Sequence, residues 1–196
     1  MWGVGCVLYY VMSGGHLFAR QSDVQSLVSS GQVTSTVLSG VRPRRVGELI
    51  CSMVSVGPRM TSMQAANDSA FWSVDTKENV LYNVTEAMKR GDSGISTALD
   101  RQTVFGGEWF RQVPVHYQDR QLRDASELSK RNSVSGLVWY LQAVLTASGA
   151  SKFVRGEVGG LHSAGDVIES FEEAFGGLFG AVHGCVPHGG WLLAPR

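Results

Sequence analysis

The chain has 196 residues, with 17 Lys plus Arg set against 17 Asp plus Glu, so its formal charge at neutral pH is zero. That length suits one or two domains with a real core, and the balance excludes a chain-wide polyanion-seeking charge, leaving any basic surface local. Cys6, Cys51 and Cys185 lie far apart with no CxxC spacing, and the five histidines are scattered; this pattern argues for a reducing compartment and against both a disulfide framework and a metal site.

Residues 1–12, MWGVGCVLYYVM, carry no charge and no strongly polar group. A surface helix shows one apolar side and one polar side, so a segment that is apolar all round predicts a helix buried on every side. Twelve residues fall short of the about 20 needed to span a bilayer. No basic residue precedes them, which argues against a signal peptide. Ser13-Gly14-Gly15 supplies the left-handed exit that ends a helix.

Residues 19–45 are polar and rich in Ser, Gln and Thr. They predict a short helix over 22–29 and then a loop, closed by the basic cluster Arg42-Pro43-Arg44-Arg45, whose ordinary role is a solvated face. Val46, Leu49, Ile50, Met53 and Val54 recur at helical spacing and predict an amphipathic helix, stopped by Gly57-Pro58. A second short helix is expected around Arg59-Met60-Thr61-Ser62, followed by Ala70-Phe71-Trp72.

Asp75 with Glu78 marks the next helix start, with Val80, Val84 and Met88 as its apolar edge. Leu99-Asp100-Arg101 sits in a second short helix and Glu108-Trp109-Phe110-Arg111 in a third segment. Residues 120–131 are charged and predict a helix end and a loop. Val134, Leu137, Val138, Leu141, Val144 and Leu145 form a helical stripe opened by Ser133 or Ser135 as cap. Glycines at 156–160 break the chain. Ser163 with Asp166 opens a last helix carrying Val167, Phe171, Ala174, Phe175, Leu178, Phe179 and Val182, weakened by Gly176, Gly177 and Gly180. With 24 glycines, well above the usual ~7%, such helices are less secure than their apolar patterns suggest. The triplets Asn67-Asp68-Ser69 and Asn83-Val84-Thr85 fit the glycosylation pattern, but with no secretory signal they read as chance. The expected fold class is all-α.

The order of these motifs resembles a known family. Trp2-Gly3-Val4-Gly5-Cys6-Val7, Tyr9-Tyr10-Val11 and Gly15-His16-Leu17-Phe18 look like the central helix of a protein-kinase C-lobe, which reads Asp-x-Trp/Phe-Ser-x-Gly-Cys and ends at Gly-x-x-Pro-Phe. Glu48-Leu49-Ile50 with Met53, then Gly57-Pro58, Arg59 and Phe71-Trp72 follow the later kinase helices, with Gly-Pro in place of Asp-Pro. Residues 161–184 track the kinase-extension nuclease pattern at Leu161, Asp166, Phe171, Phe175 and Leu178. The whole is similar to the inositol-requiring kinase–endoribonucleases of the unfolded protein response and to ribonuclease L. The resemblance implies a C-lobe end over 1–72, with Trp2, Gly5, Arg59 and Trp72 as structural positions. It further implies a helical kinase-extension nuclease-like domain over 73–186 and a tail over 187–196.

The family's chemistry fares less well. Cleaving RNA requires a base for the ribose 2′-hydroxyl, an acid for the leaving oxygen and a positive group for the phosphorane. The family supplies a Tyr, an Arg-Asn pair and a His. Laid without a gap from Val134, those positions fall on Ser129, on Gln142 with Ala143, and on Ala147, none of which performs the assigned job. Lys152 is a weak substitute that restores no acid–base pair; Arg155 lies in the same loop, and His116 and His162 read as surface or packing residues. There is no glycine-rich phosphate loop with its strand Lys, no His-Arg-Asp loop and no Asp-Phe-Gly, so this chain holds no cofactor itself. ATP and magnesium are implied only for the full-length family. The same holds for an upstream kinase lobe, RNA as substrate, a homodimer through the helical domain, and anchoring at the cytosolic face of the endoplasmic reticulum membrane. The alternative expectation is a catalytically inactive pseudo-nuclease that serves as a dimerisation or interaction module.

Overall fold

The computed structural model describes residues 1–18, 24–55, 60–149 and 163–185. These are all-helical, with twelve α-helices, three 3-10 turns and no strand among the described residues. The chain divides into two compact units, residues 1–71 and 72–196.

In the first unit, α1 (Trp2–Ser13) ends where Gly14 adopts φ 71° and its N–H bonds to the Tyr10 carbonyl. The following residues double back along it. His16 stacks on Tyr10 at 4.7 Å between ring centroids, and Phe18 stacks on Trp2 at 5.2 Å. Helix α1 packs chiefly against α4 (Arg44–Val54). The expected stripe of α4 is buried: Val46, Leu49, Ile50, Met53 and Val54. The expectation that α1 is covered all round fails. Only Gly5 and Tyr9 are buried, while Val4, Val7 and Val11 are 54%, 63% and 70% exposed. The reason is geometric, since a helix with one main neighbour hides only one face.

The short helix expected over 22–29 appears as α2 (Val24–Ser29). The expected loop after it is instead α3 (Gln32–Gly40), which buries Val33 and Val37, four residues apart on one side. In the basic cluster Arg42 and Arg44 are exposed, as a solvated face requires, and Arg45 is half-buried, while all three also make local bonds. Arg42 donates to the carbonyls of Leu38 (2.9 Å) and Val41 (3.0 Å) at the end of α3. Arg44 pairs with Glu48 at 3.4 Å. Arg45 reaches Glu48 (3.2 Å), buried Asp68 (2.6 Å) and Ser69 (3.1 Å), tying α4 to the 3-10 turn Ser69–Phe71. Between them, α5 (Ser62–Ala66) starts with a capping box of Thr61 and Gln64, slightly later than the expected helix. Gly57, Pro58 and Arg59 lie outside the described residues.

The second unit is organised on α10 (Val134–Gly149), which packs against α6 (Val74–Lys89), α7 (Ser93–Asp100), α8 (Arg120–Asp124), α9 (Glu127–Lys130) and α11 (Ala164–Ala174). Its stripe, Val134, Leu137, Val138, Leu141, Val144 and Leu145, is buried as the spacing predicts. Ser133 caps the helix by accepting from the Gly136 N–H, and Asp100 accepts from the Ser135 N–H. Gly136 is required by contact rather than by φ. A Cβ there would stand 2.5 Å from the Arg131 carbonyl oxygen and 2.7 Å from that of Leu128. Residues 120–131, expected to be a helix end and a loop, form the two short helices α8 and α9, each capped by the residue before it, Asp119 and Ser126.

Two boundaries differ from expectation. Helix α6 is capped by Ser73, which accepts from the Thr76 N–H; Asp75 sits in the first turn. The single last helix is two, α11 and α12 (Leu178–Cys185), separated where Gly177 takes φ 84°. Ser163 and Asp166 do form the capping box that opens α11. Trp72, which the resemblance assigns to the close of the first domain, packs against the second core and meets His183 edge-on at 5.1 Å. Arg155, the glycine break at 156–160, Leu161, His162 and the tail at 187–196 fall outside the described residues.

Candidate functional site

The four family positions divide between α9 and α10. Ser129 is wholly buried, and its hydroxyl has no hydrogen-bond partner among the described residues. A seryl oxygen shut away from solvent meets no substrate. Gln142 donates from Nε2 to the Thr146 hydroxyl at 3.3 Å, while its buried Oε1 accepts nothing among the described residues. Ala143 and Ala147 are partly buried on α10. No side chain in this set gains or loses a proton near neutral pH, so it offers neither base nor acid. Lys152 lies outside the described residues.

Other reactive groups are equally quiet. Burial raises the pKa of all three partly buried cysteines, Cys6, Cys51 and Cys185, with the Glu48 charge adding to the effect at Cys51. They stay thiols at neutral pH, and the thiolate is the nucleophilic form. Burial likewise pushes the Tyr140 phenol up to about 12. That hydroxyl is a structural clamp, donating to the Tyr117 carbonyl at 2.6 Å and accepting from the Asp119 N–H at 2.8 Å. Among the described residues no three His, Cys, Asp or Glu side chains converge as a group that could hold a metal ion. His116 is exposed beside Tyr117, with ring centroids 4.1 Å apart.

Of the structural kinase positions, Gly5 sits at the closest approach of α1 and α4, where a Cβ would lie 2.7 Å from Val54 Cγ1 and 2.9 Å from Met53 Cβ. Trp2 is 36% exposed against Phe18. In the two glycosylation-type triplets the hydroxyl residues are buried, while the acceptor Asn67 is exposed. Ser69 is buried with its oxygen accepting from Arg45, and buried Thr85 donates to the Leu81 carbonyl at 3.0 Å.

Two features of the second unit have no signature in the sequence. Lys77 on α6 donates to both carboxylate oxygens of Glu172 on α11 at 2.8 Å, with its ammonium 5.2 Å from the Phe179 ring centroid. Those partners are 95 positions apart, so no local spacing announces them. The second is a polar cleft of about 430 Å³ along the 3-10 turn Trp109–Arg111 and α8. Arg111, Arg120 and Arg123 line it, and they are spread over thirteen positions of a segment with mixed charges.

Among the described residues no helix is long and apolar enough to cross a membrane. No protein-family model matches the chain, and no curated protein matches it in sequence.

Proposed function

We propose that this chain is the C-terminal part of a serine/threonine-protein kinase–endoribonuclease of the unfolded-protein-response type, the end of a kinase C-lobe followed by a kinase-extension nuclease-like domain. The observation that carries the reading is order. Motifs of the later helices fall in the family's order, with apolar positions that are buried: Leu49, Ile50 and Met53 on α4, then Leu137, Leu141 and Val144 on α10, then Phe171, Phe175 and Leu178 across α11 and α12; those of α1 (Val4, Val7, Val11) and Phe71 are exposed. The uncovered face of α1 counts against this reading, which expects the opening helix to be buried. ATP with magnesium in an upstream kinase lobe, kinase-driven homodimerisation, RNA as substrate and anchoring at the endoplasmic reticulum belong to the same proposal.

A second reading is favoured by one specific observation, the burial of Ser129. With that hydroxyl enclosed and alanines at two further positions, the residues at the family's catalytic positions do not move the protons that 2′-hydroxyl attack requires. The second unit then serves as a pseudo-nuclease, a helical dimerisation or interaction module. Cleavage of a stem-loop RNA by the chain joined to its upstream lobe separates the two. No cleavage, with dimerisation retained, supports the pseudo-nuclease. Robust cleavage abolished by Gln142→Ala supports the active enzyme. A dimer-independent, non-binding protein sinks both.

A further inference from the structure

The cleft beside α8 holds three guanidinium groups and two carboxylates, a lining net charge of +1. Glu108 bridges two of the arginines, with Oε2 2.9 Å from Arg111 Nε and Oε1 3.7 Å from Arg123 Nη1. Asp124 Oδ1 lies 3.4 Å from Arg123 Nε. Arg123 is further fixed over the Phe110 ring, 4.8 Å from its centroid. Arg120 has no ion-pair partner among the described residues. Gln118 completes the wall, its amide donating to the Val113 carbonyl at 2.7 Å and so held in place.

We propose that this cleft is a binding site for a phosphate ester. Each guanidinium carries five N–H donors in a fixed fork that matches phosphate oxygens, and the two carboxylates occupy only a few of them. Arg123 is held in advance by its ring and its carboxylates, so little ordering is needed when an anion arrives. Arg120 is the unneutralised charge that makes the lining attractive to anions. Glu108 acts as a resident competitor, since an incoming phosphate takes up donors that it now holds. Its pair with the exposed Arg111 contributes little, so that donor exchanges readily. The site stands on these residues alone and holds whichever reading of the chain's function is correct.

The test is a ¹H–¹⁵N titration of the full chain with inorganic phosphate, set beside sodium chloride at equal ionic strength. Phosphate is expected to shift the arginine Nε–H signals and the amides of residues 108–124, and chloride is not. Arg120→Gln, an exposed change, is expected to weaken phosphate binding about tenfold with the thermal midpoint unchanged. Glu108→Gln is expected to strengthen it by freeing donors. A 5′-phosphorylated single-stranded oligoribonucleotide that binds more tightly than phosphate, while its unphosphorylated form does not bind, assigns the site to nucleic-acid ends. Equal binding of phosphate and the phosphorylated oligonucleotide assigns it to small phosphate esters. Shifts that chloride reproduces, or an affinity unchanged by Arg120→Gln, overturn the proposal.

Discussion

Helices α1 and α10 are both apolar and have opposite fates. Both lack charged side chains, and each carries three Val and one Trp. Helix α10 is surrounded by five other helices, and its stripe residues are buried, Leu137, Val138, Leu141 and Val144 completely. Helix α1 meets chiefly α4 and leaves Val4, Val7 and Val11 mostly in solvent. An apolar pattern therefore states what a helix tolerates around it; the number of neighbours decides how much of that surface contributes to stability.

The contrast is sharpest at the pair that locks the helices around α10. Lys77→Met leaves the Glu172 carboxylate buried without its cation, which costs about 3–5 kcal/mol. Chemical denaturation read by tryptophan fluorescence should show that loss, and Lys77→Met with Glu172→Leu should recover much of it. Next in size, Leu141→Ala removes a fully buried side chain and costs about 2–5 kcal/mol. The same experiment should find Tyr140→Phe destabilising by about 1–3 kcal/mol, because the Asp119 N–H and the Tyr117 carbonyl lose a buried partner.

Tyr140 also sets a pH dependence. The folded phenol keeps its proton to about pH 12, whereas the unfolded one loses it near pH 10. Between those values the native state holds more protons, so stability falls as pH rises through the window, by ~2–3 kcal/mol. Tyr140→Phe should lack that part of the decline when denaturation midpoints are compared at pH 9.5 and pH 11.5. The smallest effect belongs to α1. Val7→Ser should change stability by less than about 0.5 kcal/mol yet reduce binding of a hydrophobic dye. A loss as large as that of Leu141→Ala would mean that α1 is covered after all, and the comparison would fail.

Periodicity made α4, α6 and α10 legible, because a stripe at helical spacing names both the helix and the face it buries. Helix α3 was hidden by its Ser, Thr and Val content, which disfavours helix locally. Only the spacing of Val33 and Val37 hinted at it. The weak point of the last helix was legible in Gly176, Gly177 and Gly180, but the apolar pattern that runs on to Val182 made one helix of what the structure splits at Gly177 into α11 and α12. At the candidate site, that the Arg, Asn and His positions implied by the resemblance fall on Gln142, Ala143 and Ala147 was plain from residue identity. The enclosure of Ser129 was not, since a serine in a charged segment reads as surface. Nor was the Lys77–Glu172 pair, because long-range partners leave no local trace.

The contact at Gly5 also governs motion. Met53 and Val54 press into the notch left by the missing side chain, so the helix they belong to is keyed to α1 at one point along its length. Sliding by a residue would drive Val4 or Cys6 into the notch. Whatever docks on the far side of α1 therefore meets its side chains in a single longitudinal setting.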